Sequence, residues 1–172
     1  MRILIAEDES IIRLDLRRML ERTGYEVCAE ARNGVEAVQL ARETEPEAAV
    51  IDVRMPEMSG IEAVRRILAE RSIPIVMLTA YADPDTVADA IRAGVFAYVV
   101  KPFREQDLLP AIETACVRQR EWLRGRCDFD HSPERRLQGL DVVIGEGRWP
   151  LRIERLHDGS IDVQLSSGGE DS

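Results

Sequence analysis

The stretch Ala48-Ala49-Val50-Ile51-Asp52 decides the fold: four apolar residues in succession, with no polar alternation, stopped by a carboxylate. A strand of this kind is buried on both faces, the habit of a parallel sheet sandwiched between helices. Three more runs share the form. Ile3 to Ala6 stops at Glu7-Asp8-Glu9, Ile75 to Leu78 at Thr79, and Ala97 to Val100 at Lys101. A weaker run, Glu26 to Ala29, reads as an edge strand.

Helical patterns fill the gaps. Ser10 is a candidate cap for a helix reaching about Arg22, with Gly24 beyond its end. A second helix spans about Val35 to Glu43 and stops before Pro46. Ser59-Gly60-Ile61-Glu62 has the form of a capping box, followed by Ile61, Val64, Ile67 and Leu68 at helical spacing. Asp83 is a candidate cap for a fourth helix, with Pro84 at its first position and Gly94 at its exit. The fifth follows Phe103 to about Leu123, with Pro110 early in it, where a kink or an imperfect first turn is expected. Five such units with right-handed crossovers predict an α/β, doubly wound, flavodoxin-like sandwich with strand order 2-1-3-4-5.

Composition narrows the function. The chain has 172 residues, 45% of them hydrophobic, with 23 basic and 32 acidic side chains and a net charge of −9. This balance argues against a tightly DNA-binding surface and permits a cation-binding pocket. The apolar stretch Ile73 to Ala82 is too short and too interrupted to span a membrane. The opening run Ile3 to Ala6 is too short for a signal-peptide core, so the expected location is cytoplasmic. Cys28, Cys116 and Cys127 lack metal-ligand spacing and do not suggest a disulfide framework. Cys28 and Cys116 read as small buried apolar groups, Cys127 as an exposed thiol, and His131 and His157 as lone histidines without ligand companions.

The chemistry lies where the apolar runs stop. In a parallel sheet those ends share one edge, and ligands bind there at the topological switch point between the first and third strands. Glu7, Asp8, Asp52, Thr79 and Lys101 therefore converge in one crevice. Carboxylates packed this closely repel one another unless a cation neutralises them, and oxygen donors in this number suit magnesium. A carboxylate beside such a cation can attack phosphorus and form an acyl phosphate, with Asp52 the central acid and natural nucleophile.

These residues resemble the receiver domains of bacterial two-component response regulators. The resemblance rests on Glu7-Asp8, Asp52-Val53-Arg54-Met55-Pro56 with Gly60 following, Thr79-Ala80, Tyr98 and Lys101-Pro102-Phe103, and it covers roughly residues 1 to 122. It implies that Asp52 takes a phosphoryl group from a sensor histidine kinase. Glu7, Asp8, Asp52 and the main-chain carbonyl of Arg54 would hold Mg2+, while Thr79 and Lys101 would bind phosphoryl oxygens. It further implies a cis Lys101-Pro102 bond and a switch in which Thr79 moves toward the new group and Tyr98 swings inward. The face of the fourth helix, fifth strand and fifth helix would then change and dock a partner protein or a second copy as a homodimer. Glu7 is a departure, since aspartate is commoner there.

A phosphatase with an aspartyl nucleophile is the competing class. Many of those need a second acid two residues after the nucleophile, where Arg54 stands here, so no enzyme activity beyond self-phosphorylation and self-dephosphorylation is expected.

The receiver portion is most similar to those of antitermination (ANTAR-type) regulators, through Ala6-Glu7-Asp8-Glu9 and the run from Lys101 through Leu108-Leu109-Pro110-Ala111-Ile112-Glu113. The far end does not follow that pattern. After the phospho-receiver domain (1–123), residues 124–139 read as a linker, 140–165 as a small extension containing a β-hairpin, and 166–172 as a disordered tail. Leu151, Ile153 and then Ile161, Val163, Leu165 alternate around His157-Asp158-Gly159-Ser160, a hairpin signal. Six arginines against ten acids beyond Gly125 leave no evident RNA-binding surface. The alternative reading is an RNA-binding antitermination regulator whose output domain is lost or altered.

Overall fold

The computed structural model describes residues 1–80, 84–125, 141–144, 147–155 and 161–165. Strands and helices alternate as β1 (Arg2–Ala6), α1 (Ser10–Arg22), β2 (Glu26–Ala31), α2 (Gly34–Thr44), β3 (Ala48–Asp52), α3 (Gly60–Glu70), β4 (Ile75–Thr79), α4 (Pro84–Ala93), β5 (Ala97–Val100) and α5 (Glu105–Gly125). The five strands pair in parallel in the order β2-β1-β3-β4-β5, as the apolar runs predict. β2 is the edge at that end of the sheet, and its pairing with β1 shifts register between Ile3 and Leu4.

Alternate residues of each central strand feed opposite layers. On β1, Leu4 and Ala6 join α2, α3 and α4 in one apolar cluster, while Ile3 and Ile5 join α1 and α5 in the other. Both faces of the sheet are therefore dry, which is why the strand sequences show no polar alternation. Each fully buried Ile or Leu contributes about 1.5–3 kcal/mol.

Helix ends follow local chemistry, with some differences from the sequence reading. Ser59 accepts from the Glu62 amide at 3.3 Å and caps α3 as predicted. Asn33, unremarked in the sequence, caps α2 by accepting from the Glu36 amide at 2.7 Å. Ser10 is no cap: α1 begins at that residue, and Glu9 precedes it without a side-chain bond to the helix. Arg13 donates to the carbonyls of Glu7 and Asp8 from the first turn of α1, tying the helix to the loop before it. Gly94 leaves α4 at φ +103°, a left-handed conformation that favours glycine. α5 runs through Pro110 as one element. Cys28 and Cys116 are only partly buried. Asp83, Cys127, His131, the 157–160 turn and the segments 126–140 and 166–172 lie outside the described residues.

Beyond α5 the chain adds β6 (Asp141–Ile144), β7 (Gly147–Arg155) and β8 (Ile161–Leu165). The expected hairpin is present, with β7 and β8 antiparallel from Leu151↔Leu165 to Arg155↔Ile161. It does not stand apart from the receiver. β6 joins the β5 edge in parallel at Val99↔Val143, so one sheet runs β2-β1-β3-β4-β5-β6-β7-β8.

Candidate functional site

The parallel sheet carries the ends of β1, β3, β4 and β5 to one rim. Glu7 and Asp8 follow β1, Asp52 and Thr79 are the last residues of β3 and β4, and Lys101 follows β5. Glu7 is 0% exposed and Asp52 and Thr79 are each 4% exposed, whereas Asp8 faces solvent. The side-chain oxygens offered by Glu7, Asp8 and Asp52 lie within 4.8 Å of one another. Lys101 bridges two of the acids: its Nζ is 2.6 Å from Glu7 Oε2 and 2.9 Å from Asp52 Oδ1.

Backbone groups hold these side chains in place. The Arg54 amide donates to Asp52 Oδ2 at 3.2 Å, and the Glu9 amide to Glu7 Oε1 at 3.2 Å. Arg13 Nη1 donates to the Glu7 carbonyl at 2.6 Å and to the Asp8 carbonyl at 3.3 Å, fixing the loop that carries both acids. The Lys101 amide donates to the Thr79 carbonyl at 2.6 Å, which ties the end of β4 to the residue that follows β5, and the Lys101-Pro102 bond is cis.

A close approach sets the position of Asp52. The Gly60 amide donates to the Val53 carbonyl at 2.9 Å, which draws the start of α3 onto the end of β3. A Cβ on Gly60 would overlap the Asp52 carbonyl oxygen, so glycine is required there for space rather than for backbone angle. Gly34 makes a similar approach to the Met58 carbonyl, and Asn33 Nδ2 donates to Glu57 Oε1 at 3.0 Å, bracing the β3–α3 loop from α2.

Electrostatics follow from burial. Desolvation raises the Glu7 carboxyl above its usual range, the Lys101 hydrogen bond opposes this, and the Asp52 charge adds to it. Asp52 is likewise raised by desolvation, against the hydrogen bond and charge of Lys101. Burial alone would lower Lys101, but hydrogen bonds to Glu7 and Asp52 outweigh it and leave the ammonium raised. One cation thus serves two buried acids, with exposed Asp8 beside them. The negative charge left over and the three convergent oxygens fit a hard divalent ion such as magnesium.

The structure therefore brings together Glu7, Asp8, Asp52, Thr79 and Lys101, with the Arg54 main chain bonded to Asp52. Tyr98 lies on β5 opposite Met77 of β4 and is 4% exposed, in the apolar cluster that includes Val87, Ala88 and Ile91 of α4. Sequence reasoning missed Arg13 and Asn33, whose contacts are to main-chain groups or loop residues far along the chain.

Residues 3–113 match the family model described as "Response regulator receiver domain". The chain is 51% identical over 120 residues to transcriptional regulatory protein PdtaR of Mycobacterium tuberculosis, a stretch that makes up 70% of this chain and 58% of that protein. It is 36% identical over 116 residues to chemotaxis protein CheY of Listeria monocytogenes, covering 67% of this chain and 98% of that one. Among solved structures, the signal receiver domain of a modulated diguanylate cyclase from Desulfovibrio desulfuricans is similar with a TM-score of 0.65 and 32% identity over 70% of this chain and 97% of its own. A LuxR-family response regulator from Aurantimonas gives 0.64 and 36%, over 67% of this chain and 84% of its own.

Proposed function

The chain belongs to the response regulator receiver family, and from that premise we propose that Asp52 accepts a phosphoryl group from a sensor histidine kinase in a magnesium-dependent reaction. As a two-component receiver it is a signalling protein and not an enzyme acting on a separate substrate. The observation that carries the reading is the buried Asp52 carboxylate held 2.9 Å from Lys101 Nζ, with Glu7 and Asp8 beside it.

Glu7, Asp8, Asp52 and the Arg54 carbonyl would hold the ion, which when bound neutralises charge on the transferring group. The chain's residues do the rest. An Asp52 oxygen forms the new P–O bond as the P–N bond of the donor phosphohistidine breaks, and the electron pair leaves with the imidazole. Lys101, already at Asp52, donates to a phosphoryl oxygen, and the Thr79 hydroxyl donates to another. Attack of water on phosphorus later returns the free carboxylate and inorganic phosphate.

The acyl phosphate carries about −1.5 to −2 charge and three acceptor oxygens where the Asp52 carboxylate carried −1. Thr79 answers it, and Tyr98, already buried, repacks inside its apolar cluster rather than moving in from solvent. The α4-β5-α5 face changes with it and controls a partner. We assign 1–123 as the phospho-receiver, 124–139 as a linker, 140–165 as the extension and 166–172 as a tail.

A second reading draws on the likeness to PdtaR, a transcriptional regulatory protein of which this chain spans 58%. In it the chain regulates transcription through RNA, with an altered far end. Salt-sensitive retention of RNA by the phosphorylated protein would support it. For the primary reading, incubation with acetyl phosphate and magnesium followed by intact mass is the test. A gain of one phosphoryl group is expected, and no gain would overturn it. No helix among the described residues is long and apolar enough to cross a membrane.

A further inference from the structure

The two ends of the five-stranded receiver sheet differ in kind. β2 carries Glu26 and Glu30 and a register shift against β1, features that discourage another strand from adding. β5 is Ala97-Tyr98-Val99-Val100, with no charge, no proline and no bulge, an edge that invites pairing. The chain's own β6 takes that place, in parallel, at Val99↔Val143.

The rest of the extension follows from this anchor. β7 has nine residues and serves two pairings: Gly147–Pro150 with β6, and Leu151–Arg155 with β8. The change of partner falls at Pro150, which has no amide hydrogen to give to a ladder. β8 lies against α4, so the extension closes both the β5 edge and the adjoining helix. Three strands of four, nine and five residues are too small to fold alone. Their order depends on the receiver they cover.

Register ties this cover to the phosphoryl-acceptor site. Asp52 pairs with Leu78, Leu78 with Val99 and Val99 with Val143, so a single cross-strand row leads from the acceptor aspartate to the anchor of the extension. At about 4.8 Å per strand this is a path of roughly 14 Å. Thr79 and Tyr98 flank it, each next in sequence to a residue of the row.

We infer that β6, β7 and β8 form a displaceable cap: in the resting protein β6 occupies the β5 edge and β8 lies on α4 in cis, and a phosphoryl group on Asp52 favours their release, exposing that face for output. The second half of this inference rests on the phosphoryl-acceptor reading. Among the described residues β6 is registered on the receiver sheet at Val99↔Val143, and β8 adds contact with α4. Any partner of the α4-β5-α5 face must first displace the cap.

Hydrogen exchange on the full chain, read by mass spectrometry, tests both halves. With acetyl phosphate and magnesium, amides of 97–100 and 141–165 are expected to exchange ~tenfold faster or more, while those of β1 and β3 do not change. Val143→Pro, which cuts the edge pairing, and Ile153→Pro, which cuts the hairpin, should give the same faster exchange without phosphoryl groups. Both variants leave residues 1–125 intact in sequence, and unchanged protection of β1 and β3 would confirm that the receiver is folded. Unaltered exchange at 97–100 in both variants overturns the cap. Unaltered exchange in protein that intact mass shows to be phosphorylated overturns its release. A chain that gains no phosphoryl group overturns the acceptor reading and with it the release, while the proline variants still decide the cap.

Discussion

Glu7 and Lys101 form a buried ion pair, 2.6 Å from Oε2 to Nζ, and the same ammonium reaches Asp52 at 2.9 Å. One positive charge is thus divided between two desolvated carboxylates. Removing it leaves both acids without compensation, so Lys101→Met should destabilise the metal-free protein by about 3 kcal/mol. Urea unfolding with and without magnesium checks this, and added magnesium should restore part of the loss.

The opposite change should stabilise. Glu7 and Asp52 have raised pKa values in the folded protein, chiefly from burial, so the fold binds more protons than the unfolded chain across the interval above the ordinary carboxylate values. Stability of the metal-free protein therefore falls as pH rises through that interval. Asp52→Asn removes one of the two charges and should raise the urea midpoint by about 1 kcal/mol of stability near neutral pH, with a shallower pH dependence. An equal or lower midpoint would count against the acidic cluster.

Two glycines separate space from backbone angle. Gly60→Ala drives a methyl group into the Asp52 carbonyl and should cost about 1–3 kcal/mol, slowing phosphoryl uptake as well. Gly24→Ala has open space around it but a φ of +87°, and should cost about 1 kcal/mol with uptake unchanged. Thermal melts and the rate of mass gain distinguish the two.

Arg13 bonds to the carbonyls of Glu7 and Asp8 from the first turn of α1. Arg13→Ala frees that loop, and magnesium affinity should drop about tenfold, the usual effect of losing a group that orients a ligand. Calorimetric titration with magnesium measures it.

The rim of the site was legible because it is written locally. An apolar run without alternation is a buried parallel strand, and the residue that ends it must sit at the sheet's edge, so the sequence alone groups Glu7, Asp8, Asp52, Thr79 and Lys101. Contacts made when the chain turns back on itself between elements carry no such mark. Nothing in the neighbourhood of Arg13 says that its guanidinium turns back to Glu7, and nothing around Gly60 says that Asp52 lies beneath it. Ser10 had the chemistry of a cap but not the position, since α1 already includes it and Glu9 stands at the cap. The hairpin of β7 and β8 was visible in its alternation, while its attachment through Val143 to Val99 was not, since a strand's own pattern does not name its neighbour.

The most direct test of the account is the place of phosphoryl attachment. After reaction with acetyl phosphate and magnesium, borohydride reduces an aspartyl phosphate to homoserine, releasing phosphate and marking the acceptor permanently. Peptide mapping is expected to find that mark at Asp52 alone, and none in Asp52→Asn. A mark at Asp8 or Glu7, or one that persists elsewhere in Asp52→Asn, would contradict it.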